Sequence, residues 1–104
     1  MGDDDLEDIA RFDVDEDGIV GWIEVKRNRK TGWVRLTGSL EAEEEGDVHT
    51  DLVELPPGSR PFSRVSFALP DDAIIAVHPD GGLTVAGGKT TYELVCVDFP
   101  TIPV

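Results

Sequence analysis

The proline-rich corner near the middle of the chain, Val53 to Phe62, restricts the fold more than any other stretch. Pro56 and Pro57 have fixed φ angles and no backbone N–H, so neither a helix nor a central strand can continue through them. Gly58 supplies a backbone conformation that residues with a Cβ atom reach only at a cost. The stretch therefore predicts a rigid turn that ends one strand and leads into another at Phe62.

Apolar residues alternate with polar ones along much of the chain after residue 20. Ile23 and Val25 alternate with charged residues, and Trp33 to Gly38 repeats this period of two, so a hairpin is predicted over residues 22–40. Further strands are predicted over residues 48–55, 62–69, 73–78, 83–86 and 92–99. About seven short strands separated by turn residues predict an all-β fold, an antiparallel β-sandwich of jelly-roll type.

The composition limits the classes of partner. A chain of 104 residues is long enough for one domain, and its net charge of −13 argues against nucleic acid and against an anionic membrane surface. No apolar run is long enough to insert into a membrane. The acidic N-terminus does not have the pattern of a secretory leader, which predicts synthesis in the cytoplasm. The single cysteine, Cys96, cannot form an internal disulfide and is predicted to be a small buried side chain.

Residues 1–20 are predicted to form an acidic N-terminal segment, separate from a β-sandwich domain of residues 21–104. Leu6, Ile9 and Ala10 line one side of a predicted short helix, which the early carboxylates would stabilise through the helix dipole. A solvated, partly disordered linker is the alternative for the same residues.

The same segment contains the sharpest local motif. Asp13, Asp15, Asp17, Gly18 and Glu24 match the calcium-loop template Asp-x-Asp-x-Asp-Gly-x5-Glu. Side chains at alternate positions would converge on one cation, and the glycine would allow a sharp turn. If residues 22–27 form a strand, however, the glutamate can point away and leave only the three aspartates. A calcium site and an acidic solvated linker therefore both stay open, and calcium is the one cofactor that the sequence suggests.

No catalytic constellation is evident. His49 and His78 are isolated histidines without a nucleophile or a third ligand at a recognisable spacing. The stretch from Gly82 to Thr90 has one residue too many to match a phosphate-binding loop. The sequence therefore predicts no catalytic residues and a protein that is not an enzyme.

Six motifs follow one another in a fixed order over residues 21–104. They are Val25 to Lys30, Gly32-Trp33-Val34-Arg35-Leu36-Thr37-Gly38, Leu55-Pro56-Pro57-Gly58-Ser59-Arg60-Pro61, Val65-Ser66-Phe67, Pro79-Asp80-Gly81-Gly82, and Val97-Asp98-Phe99-Pro100-Thr101. In this order they resemble the C-terminal head domain of phage tail and fibre (minor tail) proteins. Ser59 departs from the pattern, because an aromatic residue is expected between the glycine and the arginine of the corner.

The resemblance implies a non-enzymatic structural protein of the virion tail or outer surface. It implies a β-sandwich head that forms a homotrimer and contacts other tail or virion proteins or a host surface, where carbohydrate is one candidate receptor. A protein that decorates the tail or capsid is an alternative, and a small calcium-dependent binding module is an alternative from another class.

Aromatic and basic side chains are the candidates for an interface or a receptor site. Aromatic rings stack on sugars or anchor subunit contacts, and a basic loop in so acidic a chain can dock on the acidic segment of a neighbouring copy or on an anionic surface. Trp33 and Tyr92 are expected in the core instead. The candidates are Trp22, Lys26, Arg27, Arg29, Lys30 and Phe62.

Overall fold

The computed structural model describes residues 6–16, 18–45, 48–88 and 90–101, without the side chain of Cys96. Strands dominate these residues, and no α-helix occurs among them, which confirms the all-β prediction. The strands are β1 (Leu6–Glu16), β2 (Ile19–Asn28), β3 (Val34–Ala42), β4 (Val65–Leu69), β5 (Ala73–Val77), β6 (Leu83–Gly87) and β7 (Thr91–Phe99), with a short 3-10 turn at Pro70–Asp72. No helix in the described part of the chain is long and apolar enough to cross a membrane.

The strands form two antiparallel sheets that share one hydrophobic core. The first sheet has the order β1-β2-β3-β7 and the second the order β4-β5-β6. Alternation along β3 buries Val34, Leu36 and Leu40 on one face, and these join Ile75 and Val85 of the second sheet in one buried cluster. This arrangement is consistent with a sandwich, and its jelly-roll connectivity stays a prediction.

Residues 6–16 of the acidic N-terminal segment belong to the first sheet. Residues 6–16 pair with β2 along their length, with Phe12 opposite Ile23 and Val14 opposite Gly21. The prediction of a short helix or a disordered linker is therefore wrong for these residues, and the domain boundary predicted after residue 20 falls inside β2. Phe12 and Val14 alternate with charged residues, so a strand buries them on one face, whereas a helix would spread them around its surface.

The strand predicted over residues 48–55 is wrong. This segment makes only two isolated bridges, one between His49 and Val85 and one between Glu54 and Gly82. Asp51 has a φ of 53°, which interrupts the extended backbone between them. The segment still runs along the outer edge of β6 and covers it.

The hairpin predicted over residues 22–40 is confirmed as β2 and β3. The strand after the proline-rich corner begins at Val65 rather than at Phe62. The strand predicted over residues 73–78 is confirmed as β5, in which Ile74 is exposed and the other side chains are buried. Tyr92 is fully buried, as predicted.

Candidate functional site

The β2–β3 turn, the proline-rich corner and the end of β7 lie together at one end of the molecule. The Thr101 hydroxyl donates a hydrogen bond to the Gly32 carbonyl at 2.7 Å, and Thr101 also forms an isolated bridge with Pro61. Arg27 Nη1 donates to the Gly58 carbonyl at 3.3 Å. We call this surface the corner end, and it comprises residues 28–33, 56–62 and 98–101.

The β2–β3 turn is fixed by its own hydrogen bonds. Asn28 Oδ1 accepts from the backbone N–H groups of Lys30 at 2.9 Å and Thr31 at 3.0 Å. The Thr31 hydroxyl accepts from the Trp33 N–H at 3.2 Å, and the Asn28 N–H donates to the Trp33 carbonyl at 2.8 Å. These bonds hold the Trp33 backbone in place although its side chain is 47% exposed. The prediction that Trp33 lies in the core is therefore wrong.

A pocket of about 160 Å³ opens beside Trp33. Leu6 supplies apolar surface, and Asn28 and Thr31 line the pocket from the turn. Arg35 and Asp98 supply a charged wall and are joined by a hydrogen-bonded ion pair, in which Arg35 Nε lies 2.9 Å from Asp98 Oδ1.

Sequence reasoning missed Asn28, Thr31, Arg35 and Asp98 as site residues. A signal was present in the alternation of side chains. Trp33, just before β3, and Arg35 alternate with Val34 and Leu36, which are the buried residues. The opposition of Arg35 and Asp98 across β3 and β7 depends on a pairing between strands far apart in the sequence.

Two of the four basic residues predicted as interface candidates face acidic partners in their own chain. Lys26 Nζ lies 3.7 Å from Asp8 Oδ1, and Arg29 Nε lies 3.7 Å from Glu7 Oε2. Both acidic residues belong to β1, which is therefore one partner of the basic loop. Docking of this loop on a neighbouring copy stays a prediction.

The two aromatic interface candidates differ in their surroundings. Trp22 is partly buried, and its ring lies 5.0 Å from the guanidinium carbon of Arg11 in a cation–π contact. Phe62 is 60% exposed at the corner end, the same end that presents Trp33. An exposed phenylalanine on a rigid corner is typical of an interface anchor.

The proline-rich corner binds the β5–β6 hairpin. Arg60 Nε donates to the Leu55 carbonyl at 2.7 Å, and the Leu55 N–H donates to the Gly81 carbonyl at 2.9 Å. Gly81 has a φ of 95°, and a Cβ atom there would lie 2.7 Å from the Leu55 carbonyl oxygen and 2.8 Å from Arg60 Nε. Two motifs that are distant in the sequence therefore meet in one contact that only glycine permits.

Ser59 closes the turn of the corner. Its N–H and its hydroxyl both donate to the Pro56 carbonyl, at 3.1 Å and 2.7 Å, and its side chain is buried. Ser59, which departs from the motif pattern of the resemblance, thus has a hydrogen-bond partner inside the turn for both its N–H and its hydroxyl group.

Replacing Arg60 with alanine is expected to lower the free energy of unfolding by about 1–2 kcal/mol, because a partly buried hydrogen bond to the Leu55 carbonyl is lost. Urea denaturation followed by circular dichroism measures the change. Arg64→Ala removes an equally charged but exposed side chain and is the matched control, with an expected change within about 0.5 kcal/mol. Equal effects of the two substitutions would contradict the role assigned to Arg60.

The calcium-loop geometry predicted for residues 13–24 is wrong where the structure describes them. Asp13 and Asp15 are exposed residues of β1, whereas Glu24 lies in β2 opposite Arg11, whose Nη1 is 3.9 Å from Glu24 Oε2. Asp17 lies outside the described residues. Within the described ranges, no group of three or more acidic, histidine or cysteine residues is placed to hold a metal ion.

The two histidines occupy separate places. His78 Nε2 lies 3.0 Å from the Thr84 hydroxyl at the base of the β5–β6 hairpin. The His49 ring lies beside Gly18 at the β1–β2 turn, and its Nε2 is buried without a hydrogen-bond partner among the described residues.

Comparisons of the chain with protein-family models, with curated proteins and with solved structures found no match. The resemblance to phage tail and fibre head domains therefore depends on the sequence motifs alone and stays a prediction.

Proposed function

We propose that this chain is a non-enzymatic structural module of a phage virion, of the head type found in tail and fibre proteins. It acts as a homotrimer whose subunits contact one another through Phe62 of the corner end, and the rest of that end contacts other virion proteins or a host surface. Its place is the tail or the outer surface of the virion. A tail or capsid decoration protein would use the same surface.

The convergence of the family motifs is the observation that supports this proposal. Gly81 of the Asp-Gly hairpin lies 21 positions after Arg60 and 26 after Leu55 of the Leu-Pro-x-Gly-x-Arg-Pro corner. The three residues nevertheless meet in one hydrogen-bonded contact. This contact between two motifs of the resemblance is the support for the proposal. The motifs fix the corner end, which presents exposed Trp33 and Phe62.

The calcium-dependent alternative has less support. The described carboxylates of its template are on adjacent antiparallel strands, and two of them, Asp13 and Glu24, are paired with Arg11.

Light scattering coupled to size exclusion tests the trimer. We expect a mass of three times the chain mass of 11.3 kDa. We also expect Phe62→Asp to dissociate the trimer, because the substitution places a charge at the contact between subunits, where water is excluded. A monomer at all concentrations would contradict the proposal.

Ile74→Asp is the matched control, since Ile74 is an exposed apolar side chain on the second sheet, outside the corner end. It is expected to leave the mass unchanged. Dissociation by Ile74→Asp but not by Phe62→Asp would place the subunit contact on the second sheet and overturn the assignment of the corner end.

A further inference from the structure

The pocket beside Trp33 combines three kinds of chemistry in a small space. The pocket is lined by Trp33, which is 47% exposed, and by the polar residues Asn28 and Thr31. Its charged lining is the Arg35–Asp98 ion pair. Aromatic faces bind the apolar C–H surfaces of ligands, while planar polar groups fix the orientation of hydroxyl groups. We propose that this pocket binds one ring of a neutral hexopyranose.

The size of the pocket favours a single ring. Its volume of about 160 Å³ is well below the ~300 Å³ at which pockets for whole small-molecule ligands begin. A longer glycan would therefore place one unit inside and leave the rest in solvent. Binding by one chain is weak, and several copies on one particle would strengthen it through avidity.

The charges of the pocket favour a neutral ligand. The guanidinium of Arg35 is offset by the carboxylate of Asp98 at 2.9 Å, so the wall carries no net charge. A carboxylate has acceptor capacity for more than one hydrogen bond, so Asp98 can accept from a ligand hydroxyl group while it is paired with Arg35.

The pocket is preformed. Hydrogen bonds within the turn hold the Trp33 backbone, and the Thr101 hydroxyl ties Gly32 to the chain beyond β7. Because the backbone is already held, ligand binding has to order only the side-chain angles of Trp33, which lowers its entropic cost.

A two-dimensional ¹H–¹⁵N titration of the full chain tests this assignment. The probes are methyl α-D-glucopyranoside and methyl α-D-galactopyranoside at about 1–100 mM, the range expected for one exposed sugar ring. The chain has two tryptophans, so the indole N–H of Trp22 is an internal reference for that of Trp33. We expect at least one sugar to shift the Trp33 signal in a saturable way, with Trp22 unchanged. Sorbitol, an open-chain polyol, is expected to shift neither signal.

Variants separate the pocket from nonspecific effects. Trp33→Ala and Asp98→Asn are each expected to weaken binding about tenfold or more, read from backbone shifts of the β2–β3 turn. Trp22→Phe is the matched control and is expected to leave the dissociation constant unchanged. No saturable shift with either sugar, or equal weakening by Trp33→Ala and Trp22→Phe, would overturn the assignment.

The biological meaning of this inference rests on the proposed attachment function, but the two fail separately. A trimer that binds neither sugar overturns the pocket assignment and leaves the virion proposal standing. A strictly monomeric protein that binds a sugar in this pocket overturns the trimer and supports the pocket.

Discussion

Replacing Gly38 with alanine is expected to lower the free energy of unfolding by about 3–5 kcal/mol, the combined cost of overpacking and backbone strain. Gly38 lies in β3 opposite Ile23, and an added Cβ atom would overlap the Trp22 carbonyl oxygen and lie 3.0 Å from the Ile23 Cα. Backbone atoms at the centre of a sheet cannot move aside as the end of a flexible side chain can. The two strands would have to separate at this point.

Gly21 makes the reciprocal contact. A Cβ atom there would overlap the Ser39 carbonyl oxygen and lie 2.8 Å from the Leu40 Cα, so Gly21→Ala is expected to cost a similar amount. The two glycines thus let the backbones of β2 and β3 approach closely where Gly21 lies opposite Leu40 and Gly38 lies opposite Ile23.

Guanidinium denaturation measures these changes, and Thr37→Ala is the matched control. Thr37 adjoins Gly38 but lies on the other face of β3, so its substitution is expected to change stability by about 0.5 kcal/mol or less. A domain of this size has a total stability of roughly 5–15 kcal/mol, so Gly38→Ala is expected to leave a large unfolded fraction. If Gly38→Ala unfolds at the same denaturant concentration as Thr37→Ala, the close approach of β2 and β3 is not as described.

Tyr92→Ala is expected to cost about 3–5 kcal/mol, the usual range for removing a large aromatic side chain from a core. Tyr92 is fully buried in β7 opposite Leu40, and its ring belongs to the cluster that joins the two sheets. Its hydroxyl donates to the Gly87 carbonyl at 3.1 Å, which ties β7 to the end of β6. The substitution therefore removes both apolar contact and a link between the two sheets.

Tyr92→Phe separates these two contributions. It keeps the ring and removes the hydroxyl, and we expect a loss of about 1 kcal/mol, the net value of one hydrogen bond. Thermal and denaturant unfolding of the three proteins should rank wild type above Tyr92→Phe and Tyr92→Phe well above Tyr92→Ala. A Tyr92→Ala protein as stable as Tyr92→Phe would show that the ring does not support the core.

The sequence alone was sufficient to predict the all-β class, because period-two alternation and turn residues are local properties of the chain. The β2–β3 hairpin and the strands on either side of the Asp80-Gly81 turn follow from this pattern. The same local signal was present in the acidic segment, where Phe12 and Val14 alternate with aspartates, but the high density of carboxylates obscured it.

The segment from His49 to Glu54 shows the opposite error. Its composition suits a strand, yet Asp51 adopts a positive φ, and the backbone then meets β6 only at separate points. Whether such a stretch becomes a strand depends on the neighbour available to pair with it. That neighbour lies further along the chain, at Val85 for His49 and at Gly82 for Glu54.

What the sequence determined by itself was the local geometry: where strands alternate, where proline and glycine force a turn, and which motifs occur in which order. What only the tertiary structure decided was which distant residues meet. Gly81 lies against Leu55 and Arg60, Asp98 lies against Arg35, and exposed Trp33 stands beside the resulting pocket. These contacts depend on the pairing of strands far apart in the chain, and such pairing is set by the packing of one shared core rather than by any single stretch of residues.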